Sequence, residues 1–103
     1  MPSHVTIPED HLRTFCHRWR IRELSIFGSA LRDDFRADSD IDVMVEFEPG
    51  VRWRYYEMAE MRDQLQALVG RPVDLVEKRL VEAGPNPIRR RHILDHRETM
   101  YVA

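Results

Sequence analysis

Residues 40–47, DIDVMVEF, alternate with a period of two, a pattern that a half-buried strand satisfies and a helix does not. Ile41, Val43, Val45 and Phe47 fall on one face, and Asp40, Asp42, Met44 and Glu46 on the other. The polar face therefore opens with two carboxylates at positions i and i+2, whose Cα atoms lie roughly 7 Å apart on a strand. Repulsion and lost hydration both oppose that pair unless something compensates them. Divalent cations would do so. A two-metal site holds its ions about 3.5–4 Å apart, within reach of two such side chains. Oxygen donors without His or Cys favour Mg2+ or Mn2+ over zinc.

The rest of the chain supplies partners for this strand. Pro8, Glu9 and Asp10 form a helix start, followed by Leu12, Phe15, Cys16 and Trp19 at helical spacing. Residues 22–29, RELSIFGS, suit a short strand ending at Gly28, and SALR a single helical turn. A turn is expected at residues 48–50, EPG. From Trp53 to Val69 a helical stripe of Tyr55, Met58, Met61, Leu65, Leu68 and Val69 is closed by Gly70, which assigns Tyr55 to the core. Residues 73–77, VDLVE, read as a third strand, and AGPNP at 83–87 breaks the chain. The segment IRRRHILDHRE then suits a last helix, and TMYVA a short edge strand or tail. Alternating helices and strands predict an α/β (α+β) domain: a small mixed sheet with flanking helices, one domain over residues 1–103.

Composition narrows the function. A net charge of −2 argues against a general nucleic-acid binder, and residues 33–48 hold seven acids against one arginine. No apolar run approaches the ~20 residues that cross a bilayer. No leader pattern is visible, and the single cysteine, Cys16, suits a reducing cytoplasm, with Cys16 itself a core residue. His92 and His96 stand at i, i+4 on the last predicted helix, but no third ligand accompanies them, so a solvated face is expected. The Arg89–Arg91 run reads as a surface patch or partner contact.

Two further features belong with Asp40 and Asp42. Asp74 lies among valines and leucine on the third strand; beside the Asp-x-Asp strand it would complete a metal's shell or take a proton from an attacking hydroxyl. Gly28 and Ser29 sit at a strand end before a helical turn, where outward N–H groups make a phosphate-binding nest. Residues 30–39 then leave room for a turn and a return loop. A nucleoside triphosphate would fit between, its α-phosphate over the metals and its outer phosphates at Gly28 and Ser29.

This arrangement of Gly-Ser, spacer, Asp-x-Asp and a later strand acid resembles the polymerase-β-like nucleotidyltransferases. It is most similar to the minimal nucleotidyltransferases of bacteria and archaea, over residues 24–76. The resemblance implies the palm-like fold of that superfamily. It makes Gly28 and Ser29 the phosphate-binding pair, Asp40 and Asp42 metal ligands, and Asp74 the third carboxylate. Arg32 matches the second arginine of the Arg-Ala-Arg-Gly that often follows Gly-Ser, whereas Ala30 and Asp33 depart from it and remove help for a triphosphate. Such proteins are typically antitoxins that transfer AMP from ATP to a tyrosine of a small HEPN-type toxin RNase. The resemblance thus implies a Mg2+-dependent enzyme, a hetero-oligomer with the toxin, and no nucleic acid or membrane bound directly. The alternative is an inactive domain that neutralises its toxin by binding alone.

Overall fold

The structure is a computed structural model and describes residues 7–28 and 40–103. Ser29 and Arg32, the turn expected over SALR, and the departures at Ala30 and Asp33 lie outside the described residues. The element order is α1 (Glu9–Arg18), β1 (Ile21–Phe27), β2 (Ile41–Phe47), α2 (Tyr55–Val69), β3 (Val73–Glu77), α3 (Lys78–Glu82), α4 (Pro87–Asp95) and β4 (Arg97–Val102). The strands form one mixed sheet in the order β3-β2-β1-β4. β2 and β3 run parallel, with α2 as the crossover, and β1 pairs antiparallel with both β2 and β4.

Local chemistry explains these elements. α1 starts after Pro8, carries Glu9 and Asp10 in its first turn and His17 and Arg18 in its last, and so complements its own dipole. It buries Leu12, Phe15 and Cys16. In α2 the Glu57 carboxylate accepts from the Arg54 backbone N–H at 2.9 Å, and Gly70 ends the helix at φ +75. Two indoles lock the helices together: Trp19 donates to Gln64 Oε1 at 2.9 Å, and Trp53 donates to the Trp19 carbonyl at 3.0 Å. Their rings meet edge to face at 5.2 Å.

The core lies between α1, α2 and the apolar face of the sheet. Ile41, Val43 and Val45 of β2 are buried there with Leu24, Ile26, Met61 and Leu65. Burial holds the Cys16 thiol protonated, its pKa pushed up to about 12, so the residue is an inert piece of core. The stripe on α2 holds from Met58 onward but fails at its start: Tyr55 is 87% exposed. Trp53, just before the helix, packs against the core instead. Two other features also differ from the sequence reading. Met44, on the polar face, is buried, and a short helix, α3, follows β3 directly.

On the face opposite the core, Glu23 and Glu46 are cross-strand partners, a repulsive pairing. Lys78 relieves it from the start of α3, with Nζ 3.5 Å from Glu23 and 3.8 Å from Glu46. Thr99 donates to Glu23 at 3.3 Å, and Arg97 lies 3.7 Å away. Burial opposes ionisation of Glu23. Arg97, Lys78 and the hydrogen bonds outweigh it and hold the carboxyl below its ordinary range. A carboxyl with a lowered folded pKa stabilises above the unfolded value and loses that contribution as pH falls through the folded one. Melting temperatures of the parent and Glu23→Gln are therefore expected to differ most near pH 6 and to converge toward pH 3. A gap that stays constant across this range would contradict the role given to Glu23.

Candidate active site

β1 ends and β2 begins at the same edge of the sheet, and their register sets Phe27 against Asp42. The next residue, Gly28, turns the chain away at φ +68, a conformation that side-chain-bearing residues rarely adopt. A Cβ at that position would collide with Oδ2 of Asp42. The glycine therefore lets the strand end lie directly against the carboxylate.

On the other side of β2, the parallel register pairs Asp42 with Asp74. Adjacent strands lie about 4.8 Å apart, so the two carboxylates rise side by side from one face. Asp42 is half-buried, whereas Asp74 is exposed rather than embedded among its apolar neighbours. Asp40 stands exposed just before β2, where the Ile41 N–H donates to the Pro72 carbonyl at 2.9 Å and ties the mouths of β2 and β3 together. Gly28, Asp42 and Asp74 are thus in sequence across three strand ends.

The donor set is oxygen only, which fits Mg2+ or Mn2+. Among the described residues, no three His, Cys, Asp or Glu side chains gather into a cage for a metal ion. The paired Asp42 and Asp74 are the preformed part, and Asp40 is not drawn into one cluster with them.

From Asp42 and Asp74 a cavity of about 760 Å3 opens past β3 toward α3 and α4. Phe27, Trp53 and Tyr55 line one side, and Leu80, Arg89 and Ile93 another. The volume lies within the range of small-molecule sites. Sequence reasoning did not find this wall. KRLVE is too short to show helical periodicity, and nothing in the α2 stripe distinguishes Tyr55 from its buried companions. His92 and His96 stack at 4.4 Å on an exposed face of α4 and do not line the cavity.

The profile of the nucleotidyltransferase domain family matches residues 9–99 of this chain. The chain belongs to that family. Among its relatives, protein adenylyltransferase MntA of Thermococcus cleftensis is 36% identical over 76 residues, covering 72% of this chain and 73% of that protein. Two solved complexes share the nucleotidyltransferase fold. One is a toxin–antitoxin structure with AMP-PNP, at TM-score 0.70 and 16% identity, covering 94% of this chain and 75% of that one. The other is a tri-AMPylated HEPN toxin of Shewanella oneidensis in complex with an MNT antitoxin. It aligns at TM-score 0.61 and 15% identity, over 92% of this chain and 70% of that one. Membership in the nucleotidyltransferase family gives the chain its reaction class, the transfer of a nucleotidyl group. No helix among the described residues is long and apolar enough to cross a membrane.

Proposed function

We propose that this chain is the antitoxin of a toxin–antitoxin pair and a protein adenylyltransferase. It transfers AMP from ATP to a hydroxyl, expected to be a tyrosine's, on a HEPN-type toxin RNase, and so neutralises it in the cytoplasm. The observation that carries this reading is the register pairing of Asp42 with Asp74 beside Gly28, in a chain of the nucleotidyltransferase family. The name of the Thermococcus relative and the AMPylated toxin in the Shewanella complex support the choice of group and acceptor.

In this reading Gly28 and Ser29 hold the outer phosphates through backbone N–H groups, assisted by Arg32. Asp40, Asp42 and Asp74 would hold Mg2+ or Mn2+, which neutralises charge on the phosphoryl oxygens when bound. Asp74, which is exposed and lines the cavity, would accept the proton of the attacking hydroxyl. The hydroxyl oxygen bonds to the α-phosphorus, the bond from that phosphorus to the bridging oxygen breaks, and pyrophosphate leaves.

The experiment is to incubate the chain with ATP, Mg2+ and the toxin encoded beside it, then to measure intact masses. Additions of about 329 Da per AMP are expected on the toxin. An unmodified toxin that is nonetheless inhibited in a tight complex would replace this reading with neutralisation by binding alone.

A further inference from the structure

β3 is an edge strand, with β2 as its single neighbour in the sheet. The N–H and C=O of one strand residue point to the same edge, and those of the next residue to the other. Two hydrogen bonds fix this phase in β3. The Pro72 carbonyl accepts from the Ile41 N–H, so residue 72 faces β2, and Asp74 and Val76 follow it. The Val73 N–H donates to Gln66 Oε1 at 3.0 Å, on the side away from β2. Leu75 therefore presents its N–H and C=O to the open edge, where no hydrogen bond reaches them among the described residues.

This edge opens into the cavity beside the carboxylates. Asp74, Leu75, Val76 and Glu77 all line it, although Asp74 and Val76 point to one face of the sheet and Leu75 to the other. A cavity that touches both faces of an edge strand runs along the edge itself. Met58, which packs against the core as Leu75 does, also lines it. The other edge strand, β4, contributes no residue.

We infer that the acceptor protein docks an extended segment along this edge, pairing its backbone with Leu75 and setting its hydroxyl side chain on the Asp74 face. The inference rests on the adenylyl-transfer reading for its direction of approach. In-line displacement puts the attacking oxygen opposite the leaving group. With pyrophosphate leaving at Gly28, on the β1 side of Asp42, the acceptor comes from the β3 side, where the open edge lies. A free N–H and C=O on one residue match the backbone of an added strand, which is how sheet edges capture peptides. Adjacent strands lie about 4.8 Å apart, so a side chain opposite Asp74 rises beside its carboxylate. The residues flanking the hydroxyl then point to the other face, against Leu75 and Met58, and are expected to be apolar.

Amide hydrogen exchange, read by NMR on the full chain, follows the Leu75 N–H directly. In the free chain this amide should exchange fast, and those of Asp74 and Val76, bonded to β2, slowly. AMP-PNP and Mg2+ should leave Leu75 fast, and further addition of the toxin encoded beside the chain should slow it at least about tenfold. Leu75→Pro removes the outward donor and spares the β2 ladder, whereas Leu75→Ala shortens the side chain and keeps the donor. Transfer of AMP to the toxin should be at least about tenfold slower in the proline variant than in the alanine variant. Exchange at Leu75 that stays fast in the toxin complex of a chain that does modify its toxin would overturn the inference. So would protection by AMP-PNP alone, which would give the edge to the nucleoside. A toxin that the parent chain neither binds nor modifies would instead overturn the adenylyl-transfer reading.

Discussion

Asp42→Asn is expected to lower AMP transfer on the order of 10²–10³-fold while the protein stays folded. Asp42 stands at the centre of the site, with Gly28 against one flank and Asp74 in register on the other. Asparagine keeps the shape and removes the charge, so a cation loses a ligand and the phosphoryl oxygens lose the charge balance around them. The fold should be insensitive, because the apolar face of β2 remains buried in the core. Two measurements decide the matter. Transfer from radiolabelled ATP should collapse, and the rise in melting temperature that Mg2+ gives the parent should vanish, while the midpoint without Mg2+ moves by only a few degrees. Transfer by the variant at the parental rate would remove Asp42 from the catalytic assignment.

Gly28→Ala should be nearly as severe for activity and, unlike Asp42→Asn, should also cost stability. The positive φ is strained for alanine, by about 1 kcal/mol, and the added methyl would collide with the Asp42 carboxylate. Because the atom it would meet is the end of a side chain, the clash is relieved most cheaply by displacing the Asp42 carboxylate. The expected result is a loss of transfer on the order of 10²-fold, a lower melting temperature, and a weaker response to Mg2+. If Gly28→Ala transferred AMP normally, the close approach of the strand end to Asp42 would have no catalytic meaning.

Much of this site was legible because strands obey simple periodicity. The alternation in residues 40–47 placed Asp42 opposite the core, and the VDLVE segment placed Asp74 on a strand. The structure added the fact that no spacing could give: the two strands are parallel neighbours in a register that pairs those two aspartates. Tyr55 shows where periodicity fails. A stripe records which residues share a helix face but not how far along its length a neighbour covers that face, and at the first turn of α2 Tyr55 is left exposed. Met44 shows the reverse: it lies on the polar face yet is buried, because alternation records which face a residue takes and not what packs over it. The helix α3 left no trace for a third reason: five residues are too few to reveal a period of 3.6.

Lys78 is the sole lysine of the chain, and its side chain is 16% exposed, held between two glutamates of adjacent strands. Acylating reagents that modify ordinary surface lysines will therefore meet a shielded amine, and modifying it would leave Glu23 and Glu46 facing each other without a cation between them. The rate of lysine acylation thus becomes a direct gauge of how often the start of α3 lifts away from the sheet.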